Sequence, residues 1–366
     1  MPEDMNFFDG VYSQRQFTRY KTDPVPKEAI DKIIEATTKA PNGGNAQPWH
    51  FVAITDRNLV EEVGRHYREQ WIANTGGGVE GEKSPPGESR VYQFARYLAN
   101  HIHESPALLI ACADHSRGYM PYTPGEPIVP GRYASSLWLA IQNMFLAARA
   151  QGLGTRICGI GRRDTEVREL LGLPDHMETV VLSPLGYPRG RFGPADRMPA
   201  SQFTHYNRWG NRANGNFKTD GVSTEVGLME AMNTQRQMTR YKPDPVPIEA
   251  INKMIEAATK APSGANCQAW EFMVITEPSL VSVGSRHYRV QCLGSRGGSP
   301  EGPPDEPRVY QFARYLANHI HESPALMLVS VDHKRGFIPY NPDEPMNRER
   351  YASSFWLAIQ NLFLAG

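Results

Sequence analysis

The sequence predicts an α+β fold, a mixed sheet flanked by helices, built twice in tandem. Three observations lead to this prediction. Short apolar runs rich in β-branched and aromatic residues alternate with segments of helical periodicity. Long stretches of the first half recur, little changed, in the second half. One segment, residues 135–152, is apolar on nearly every helical face, which is typical of a helix at the centre of a domain or in a subunit interface.

The first elements alternate between helix and strand. Residues 27–40 carry apolar side chains at helical spacing and lie between Pro26 and Pro41, so they predict a helix. Residues 49–55 (WHFVAIT) predict a strand, and residues 58–71 predict a second helix. Residues 75–87 predict a Gly/Pro-rich surface loop, which could act as a lid. Its GxGxxG match lacks a preceding strand and a following apolar helix, which argues against a dinucleotide-binding turn.

The remaining elements of the first half continue this alternation. Residues 90–103 predict a helix, residues 107–113 a buried strand, and residues 135–152 the long apolar helix. Two further strands are predicted on either side of a short helix, in the stretches GTRICGIG (154–161) and METVVLSPLGYP (177–188).

A long internal repeat organises the chain. The stretch RQFTRYKTDPVPKEAIDKIIEATTKAP from Arg15 recurs from Arg236, and RVYQFARYLANHIHESPAL is identical from Arg90 and from Arg308. We call the two halves copy 1 and copy 2. Copy 2 ends at Gly366 and has no counterpart of roughly residues 149–210. Either copy 2 is truncated or the sequence is incomplete. The sequence predicts a complete domain at 1–212, a polar linker at 213–226 and a partial domain at 227–366.

Composition excludes several classes of partner. Lys and Arg number 39 and Asp and Glu also 39, so bulk charge does not favour a nucleic-acid partner. No apolar run reaches the length of a membrane span, and the start of the chain has no signal-peptide pattern. The four scattered cysteines are typical of reduced thiols in a cytoplasmic protein. We expect no metal site, because His101 and His103 point to different faces of their predicted helix.

A Pro/Gly/Asn-rich segment occurs in both copies. Corner 1, residues 39–51, reads KAPNGGNAQPWHF, and corner 2, residues 260–272, reads KAPSGANCQAWEF. Glycines allow a ligand to approach the backbone closely, and Asn45 and Gln47 can each donate and accept hydrogen bonds at the edge of a heterocycle. A plain turn is the alternative, and the spacing alone favours it.

Two arginine clusters flank copy 1. Each cluster on its own is typical of a solvated charged surface. Together they could hold one phosphate, because guanidinium groups match its oxygens bidentately. The clusters are Arg15, Arg19 and Lys21 at the start, and Arg189, Arg191 and Arg197 at the end.

The order of these segments resembles the FMN-dependent nitroreductase family. The stretches that carry the resemblance are NGGNAQPWHF, AIQNMFLAARAQGLGT and LGYPRGRFGPADRMP, and it covers nearly all of copy 1 and the first two thirds of a domain in copy 2. The resemblance implies a sandwich with a mixed, mainly antiparallel sheet. It also implies an intertwined homodimer with two FMN molecules at its interface.

The resemblance further implies a set of flavin-binding residues. Arg15 and Arg197 would meet the phosphate, Gln16 and Thr18 stand in the N-terminal signature, and the backbone near Gly159 and Ile160 would donate to flavin N5. The partner domain would supply corner residues and a polar residue on the long helix. In copy 1 these are Asn42, Gly43, Asn45, Gln47 and Ser136, and copy 2 has Arg236, Gln237, Ser263, Asn266, Gln268 and Ser354.

The chain departs from the family pattern. Gln16 replaces a serine, and Thr18 replaces a cation beside the flavin pyrimidine, so the flavin should be harder to reduce unless Arg19 compensates. Ala195 replaces a lysine, which should weaken phosphate binding. Copy 2 repeats the first two departures as Gln237 and Thr239.

The activity implied is electron transfer from NAD(P)H, through FMN, to a small planar acceptor such as a nitroaromatic or quinone. The flavin carries the chemistry, so we expect no catalytic acid or base. The copies would pair as an intrachain pseudo-dimer, with one complete FMN site per chain, or copy 1 would form a homodimer with a second chain through the central helices. The alternative is a flavin-binding protein with little turnover.

Overall fold

The computed structural model describes residues 4–75, 89–118, 122–159, 163–213, 217–222, 225–294, 300–336, 341–343 and 351–366. The chain divides into two compact units. Unit 1 consists of Met1–Ala195 and Glu225–Asn233, and unit 2 consists of Asp196–Thr224 and Thr234–Gly366. This division differs from the predicted boundaries at 212 and 227, because the residues that join the copies pack as parts of the two units.

Unit 1 contains a three-stranded antiparallel sheet in the order β1-β2-β3. Ala111 of β2 lies opposite Phe51 of β1 and Val181 of β3. The elements in chain order are α1 (Phe7–Ser13), α2 (Lys27–Thr37), β1 (Trp49–Ile54), α3 (Arg57–Thr75), α4 (Arg90–His101), β2 (Ala107–Asp114), α5 (Ala134–Ala150), α6 (Asp164–Leu170), β3 (Met177–Leu185) and, from copy 2, α7 (Leu228–Thr234).

The core of unit 1 lies around β2 and α5. All residues of β2 are buried, as expected for a central strand covered on both faces. The helix α5 is buried along most of its length and packs beside α2, where Asn143 donates from its side chain to the carbonyl of Ala36 at 3.1 Å. The predicted central position of this helix is confirmed.

Unit 2 contains a mixed three-stranded sheet in the order β4-β5-β6. The strand β4 comes from the end of copy 1 and runs parallel to β5, whereas β6 is antiparallel to β5. The elements are β4 (Thr204–Tyr206), α8 (Ile248–Thr259), β5 (Trp270–Ile275), α9 (Pro278–Gly294), α10 (Arg308–His319), β6 (Leu326–Val331) and α11 (Ala352–Ala365). The α+β fold with a mixed sheet, duplicated in tandem, is confirmed.

The two sheets are open at different edges. Among the described strands, β2 is paired on both sides, but its counterpart β6 is paired only with β5. Conversely, β5 is paired on both sides, but its counterpart β1 is paired only with β2. Side-chain burial follows this difference, since Glu271 and Phe272 of β5 are buried, whereas His50 of β1 is exposed and Phe51 is half-buried.

The segment around α7 pairs with its own counterpart in copy 1. The N–H of Phe7 donates to the carbonyl of Val226 at 3.1 Å, and the N–H of Leu228 donates to the carbonyl of Met5 at 2.6 Å. These two bonds join equivalent atoms of the repeat, and Asn6 forms an antiparallel bridge with its counterpart Gly227. The contact therefore has the local symmetry of a twofold axis.

Two predicted elements differ from the structure. The stretch 154–161 is not a regular strand, because its described residues pair only at isolated bridges, such as Gly154 with Gly186 and Cys158 with Leu182. The helix α3 continues to Thr75, and the remainder of the predicted 75–87 loop lies outside the described residues. No helix in the described part of the chain is long and apolar enough to cross a lipid bilayer.

Candidate functional site

Corner 1 is held by hydrogen bonds among predicted site residues. The side-chain oxygen of Asn42 accepts the backbone N–H of Gln47 at 2.7 Å. The N–H of Gly43 donates to the hydroxyl of Ser136, on the buried helix α5, at 3.2 Å. The structure thus brings Asn42, Gly43, Gln47 and Ser136 together around one turn of backbone.

The backbone of corner 1 is unusual for a plain turn. Gly44, Asn45 and Gln47 have φ angles of 63°, 51° and 49°, in the left-handed region. Left-handed residues other than glycine are uncommon, and each costs on the order of 1 kcal/mol or more. Such strain persists only where the surroundings enforce it, and it concentrates at ligand-binding sites, which favours the functional interpretation over the plain turn.

Corner 2 repeats this geometry with different side chains. Ser263, in place of Asn42, accepts the N–H of Gln268 at 3.1 Å, and the N–H of Gly264 donates to Ser354 of α11 at 3.0 Å. Ala265, Asn266 and Gln268 have φ angles of 49°, 57° and 50°. Because Ala265 has a Cβ where corner 1 has Gly44, corner 2 keeps the shape at a higher conformational cost.

Arg197 lies against corner 2, within unit 2. Its Nε donates to the carbonyl of Ala261 at 3.1 Å, and its Nη1 donates to the side-chain oxygen of Asn266 at 2.6 Å. The next residue, Met198, donates its N–H to the side-chain oxygen of Gln268 at 3.0 Å. Three residues assigned by resemblance to one flavin site, Arg197, Asn266 and Gln268, are therefore neighbours.

Sequence reasoning missed Lys260, which also belongs to this group. It is half-buried and directly precedes Ala261, the residue whose carbonyl binds Arg197. Burial lowers the pKa of Lys260; the negative charge of Glu256 opposes this shift, and the positive charges of Arg197 and Lys253 add to it. Its counterpart Lys39 is exposed. Both corners begin with Lys-Ala-Pro, so this tripeptide does not indicate which of the two lysines lies near an arginine.

The N-terminal signature differs between the two units. The side-chain oxygen of Gln16 accepts the N–H of Ile157 at 2.6 Å, while its buried Nε2 has no partner among the described residues. Arg15 is exposed and Thr18 is half-buried. In copy 2, Arg236 is exposed like Arg15. Gln237 is also exposed, because the described part of unit 2 has no counterpart of the segment around Ile157.

Arg19 packs against an aromatic side chain. Its guanidinium lies over the ring of Tyr97, 4.4 Å from the centroid, and Tyr97 stacks on His101 at 4.1 Å. Arg240 lies over Tyr315 in the same way, at 4.8 Å. The sequence-based option that Arg19 compensates for Thr18 has no support in this geometry.

The three arginines of the second cluster, Arg189, Arg191 and Arg197, have different surroundings. Arg189 donates from Nε to the carbonyl of Tyr20 at 2.8 Å, so it ties the end of copy 1 to the first cluster. Arg191 is exposed, and Arg197 belongs to unit 2.

The segment at Gly159 is anchored on one side and open on the other. Cys158 exchanges two backbone hydrogen bonds with Leu182, each of 2.9 Å. Gly159 is exposed, and apart from its chain neighbours no described residue lies within 4 Å of the position that a Cβ would take there. Ile160 lies outside the described residues. The unpartnered donor of Gln16, the exposed Arg15 and the open space at Gly159 fit a polar, anionic and planar group such as FMN.

The family model of the nitroreductases matches residues 12–187 and 234–366. The chain belongs to the nitroreductase family. Both matched segments carry a corner and a signature, which confirms the tandem arrangement of the two copies.

Curated relatives of this nitroreductase-family chain share about a quarter of their residues with it. A protein of Archaeoglobus fulgidus, provisionally described as an NADH dehydrogenase/NAD(P)H nitroreductase, is 26% identical over 204 residues, which is 54% of this chain and 96% of that protein. An NADH dehydrogenase of Thermus thermophilus is 26% identical over 52% of this chain and 90% of its own length. A crystal structure of a nitroreductase with bound FMN from Desulfitobacterium hafniense aligns with a TM-score of 0.40 at 18% identity, over 52% of this chain and 93% of that one.

Proposed function

We propose that this chain is an FMN-dependent oxidoreductase that passes electrons from NAD(P)H to a small planar acceptor such as a nitroaromatic or a quinone. The observation that carries the proposal is the cluster at corner 2. There a strained backbone turn, an arginine and two amide side chains of a nitroreductase-family chain are bonded together.

The protein residues would bind and orient the cofactor. Arg197 and Lys260 offer positive charge to the phosphate, and this lysine compensates for the alanine at position 195. Asn266 and Gln268 offer amide donors and acceptors, and Ser354 holds the corner through Gly264. When bound, FMN supplies the two-electron chemistry, and no side chain is required as an acid or a base.

Unit 1 offers a second set of contacts. These are the exposed Arg15, the unpartnered donor of Gln16 and the open space beside Gly159. Arg197 is bonded to Asn266 of corner 2, so we expect one tightly bound FMN per chain, at corner 2.

The test combines flavin binding with anaerobic reduction. The purified chain is saturated with FMN, and the ratio of FMN to chain is measured together with bleaching by NADH or NADPH and recolouring by a quinone. We expect a ratio of one and full bleaching. The variant Asn266→Ala should bind FMN about tenfold more weakly, because a hydrogen bond worth about 1.4 kcal/mol corresponds to a tenfold change.

The matched control is Asn45→Ala, the same substitution in corner 1. It should change the affinity for FMN less than threefold, since the described residues place no arginine against Asn45. A chain that takes up no FMN contradicts the proposal. Equal losses in the two variants contradict the assignment of the site to corner 2.

A second candidate function is flavin binding with little turnover. It is favoured by Thr18 in place of a cation and by the position of Arg19 over Tyr97, which together leave the reduced, anionic flavin with less stabilisation. In that case the loaded protein stays yellow with both NADH and NADPH, although dithionite bleaches it.

A further inference from the structure

The segment that ends copy 1 packs along copy 2 within unit 2. We call residues 196–212 the arm. Its strand β4 pairs in parallel with β5, and Phe203 packs against Trp270 with the ring centroids 6.2 Å apart. Arg197, near the start of the arm, is bonded to corner 2. The strand that binds the arm therefore also determines which corner receives this arginine.

Most contacts of the arm do not distinguish copy 2 from copy 1. Hydrogen bonds and ring contacts join the arm to Ala261, Asn266, Gln268, Trp270 and Phe272, and the counterparts in copy 1 are the same residue types, Ala40, Asn45, Gln47, Trp49 and Phe51. Among the described strands, the corresponding edge of β1 is unpaired. Backbone and apolar contacts alone would thus allow the arm to bind either strand.

A buried carboxylate on β5 is the main exception. Nε2 of His205 in β4 lies 3.1 Å from Oε2 of Glu271, and the two side chains are 1% and 2% exposed. Nδ1 of His205 accepts the N–H of Gly210 at 2.9 Å, so Nε2 is the nitrogen that donates to Glu271. Arg212, at the end of the arm, lies 3.8 Å from the other oxygen of Glu271. Two groups of the arm thus meet one carboxylate.

Copy 1 has a histidine at the position of Glu271. This residue, His50, has a side chain that is 46% exposed, and its Nε2 lies 3.1 Å from a carboxylate oxygen of Asp114. An imidazole has no negative charge to offer to His205 and Arg212. Docking of the arm on β1 would therefore bury these donors without their acceptor, which is unfavourable.

One other side chain that the arm contacts differs between the copies. The hydroxyl of Tyr206 donates to the side-chain oxygen of Asn252 at 2.6 Å, and the counterpart of Asn252 is Asp31. A carboxylate accepts such a bond as readily as an amide oxygen does. This difference does not reject the arm, so the difference between Glu271 and His50 is the one that discriminates.

We propose that Glu271 and His50 determine which strand binds the arm, because Glu271 accepts it on β5 and His50 rejects it on β1. When the other contacts are equal, specificity follows from the polar groups that one of two surfaces leaves without a partner. His50 thereby keeps the open edge of β1 free of the arm, whether of the same chain or of a second copy. The inference goes beyond the proposed function, since no contact with FMN enters it.

The first test adds the arm as a separate peptide. A fluorescent peptide of residues 196–212 is titrated onto the wild-type chain, His50→Glu and His50→Ala. The alanine variant is the matched control, because it also removes the pair with Asp114. We expect the peptide to bind His50→Glu at least about tenfold more tightly than the other two chains, as measured by anisotropy. Hydrogen exchange at the amide of Phe51 should slow on binding, since its counterpart Phe272 donates to the arm at 2.8 Å.

A second peptide identifies the group that recognises the carboxylate. With His205→Ala in the peptide, the tighter binding to His50→Glu should be largely lost. Equal affinities of the unmodified peptide for the three chains overturn the proposal. A tighter binding that persists in full with the His205→Ala peptide also overturns it.

The second test changes the strand that holds the arm in the intact chain. Glu271→His gives β5 the residue of β1, and hydrogen exchange at the Phe272 amide should become at least about tenfold faster. Glu271→Gln should have a smaller effect, because its amide oxygen still accepts from His205. The double variant His205→Glu/Glu271→His reverses the pair and should restore most of the protection.

The double variant separates loss of the pair from general damage to unit 2. Unchanged exchange at Phe272 in Glu271→His overturns the proposal, and so does a double variant that exchanges as fast as Glu271→His alone. Both tests use the flavin-free chain, so their results do not depend on whether the chain binds FMN.

Discussion

Individual residues that recur in the two copies have different surroundings in the two units. Tyr20 is 4% exposed and packs in the core of unit 1, whereas its counterpart Tyr241 is 50% exposed. Gln16 binds the backbone of Ile157, whereas Gln237 is exposed. The difference lies in the residues packed against each side chain, so the role of a repeated residue cannot be transferred from one copy to the other by identity alone.

The surroundings of Asp114 lower the pKa of its carboxyl group. Its carboxylate accepts the N–H and the hydroxyl of Ser116 at 2.9 and 2.6 Å and lies 3.1 Å from Nε2 of His50. Burial alone would raise the pKa of Asp114, but the bonds from Ser116 and His50 outweigh it and hold the pKa below its ordinary value. The charged form is therefore bound more favourably in the folded protein.

At the residue scale we predict that Asp114→Asn destabilises the protein by about 1–3 kcal/mol at pH 7. A carboxylate with a lowered pKa stabilises the fold above the pKa of unfolded aspartate, about 4, and this contribution is lost as the pH falls through the folded pKa. The difference between wild type and variant should thus shrink below about pH 4. Urea unfolding at several pH values measures it, and a constant difference down to pH 3 contradicts the assignment.

Among the elements, β2 and β6 show what a missing neighbour does to a repeated strand. Ile110 of β2 is completely buried between β1 and β3, whereas its counterpart Leu328 of β6 is 51% exposed. An exposed apolar strand with one unpaired edge is a template for pairing with other chains.

At this scale we predict opposite results for the same substitution. Ile110→Lys should prevent folding of unit 1, because an unpaired charge in a core strand costs several kcal/mol. Leu328→Lys should leave the melting temperature nearly unchanged and reduce self-association, because a lysine on an exposed edge blocks strand addition. Calorimetry and light scattering measure both effects, and strong destabilisation by Leu328→Lys would show that this face of β6 is covered.

The whole molecule is organised by reciprocal placement of its two connecting segments. The segment that ends copy 1 supplies β4 to unit 2, where Phe203 is fully buried and its carbonyl accepts the N–H of Phe272 at 2.8 Å. The segment that begins copy 2 supplies α7 to unit 1, where Leu228 is fully buried against Gly10. Neither unit is made from one continuous copy.

At the molecular scale we predict that core substitutions act on the unit rather than on the copy. Phe203→Ala should destabilise unit 2 by about 3–5 kcal/mol, and Leu228→Ala should destabilise unit 1 by about 2–5 kcal/mol. Hydrogen exchange should then accelerate in β5 for the first variant and in α1 for the second. The reverse pattern, with each copy responding to its own substitution, would contradict the placement.

The amino-acid sequence by itself determined the α+β class, the tandem repeat, the central helix and the two corners, because these follow from local periodicity, turn-forming residues and self-similarity. The tertiary structure decided which residues meet. Only the fold places Arg197 at corner 2, Gln70 at Gly159 and Arg19 over Tyr97. The physical reason is that hydrogen bonds, burial and charge interactions depend on distances between residues far apart in the chain, and two nearly identical copies carry the same local signals whatever each of them packs against.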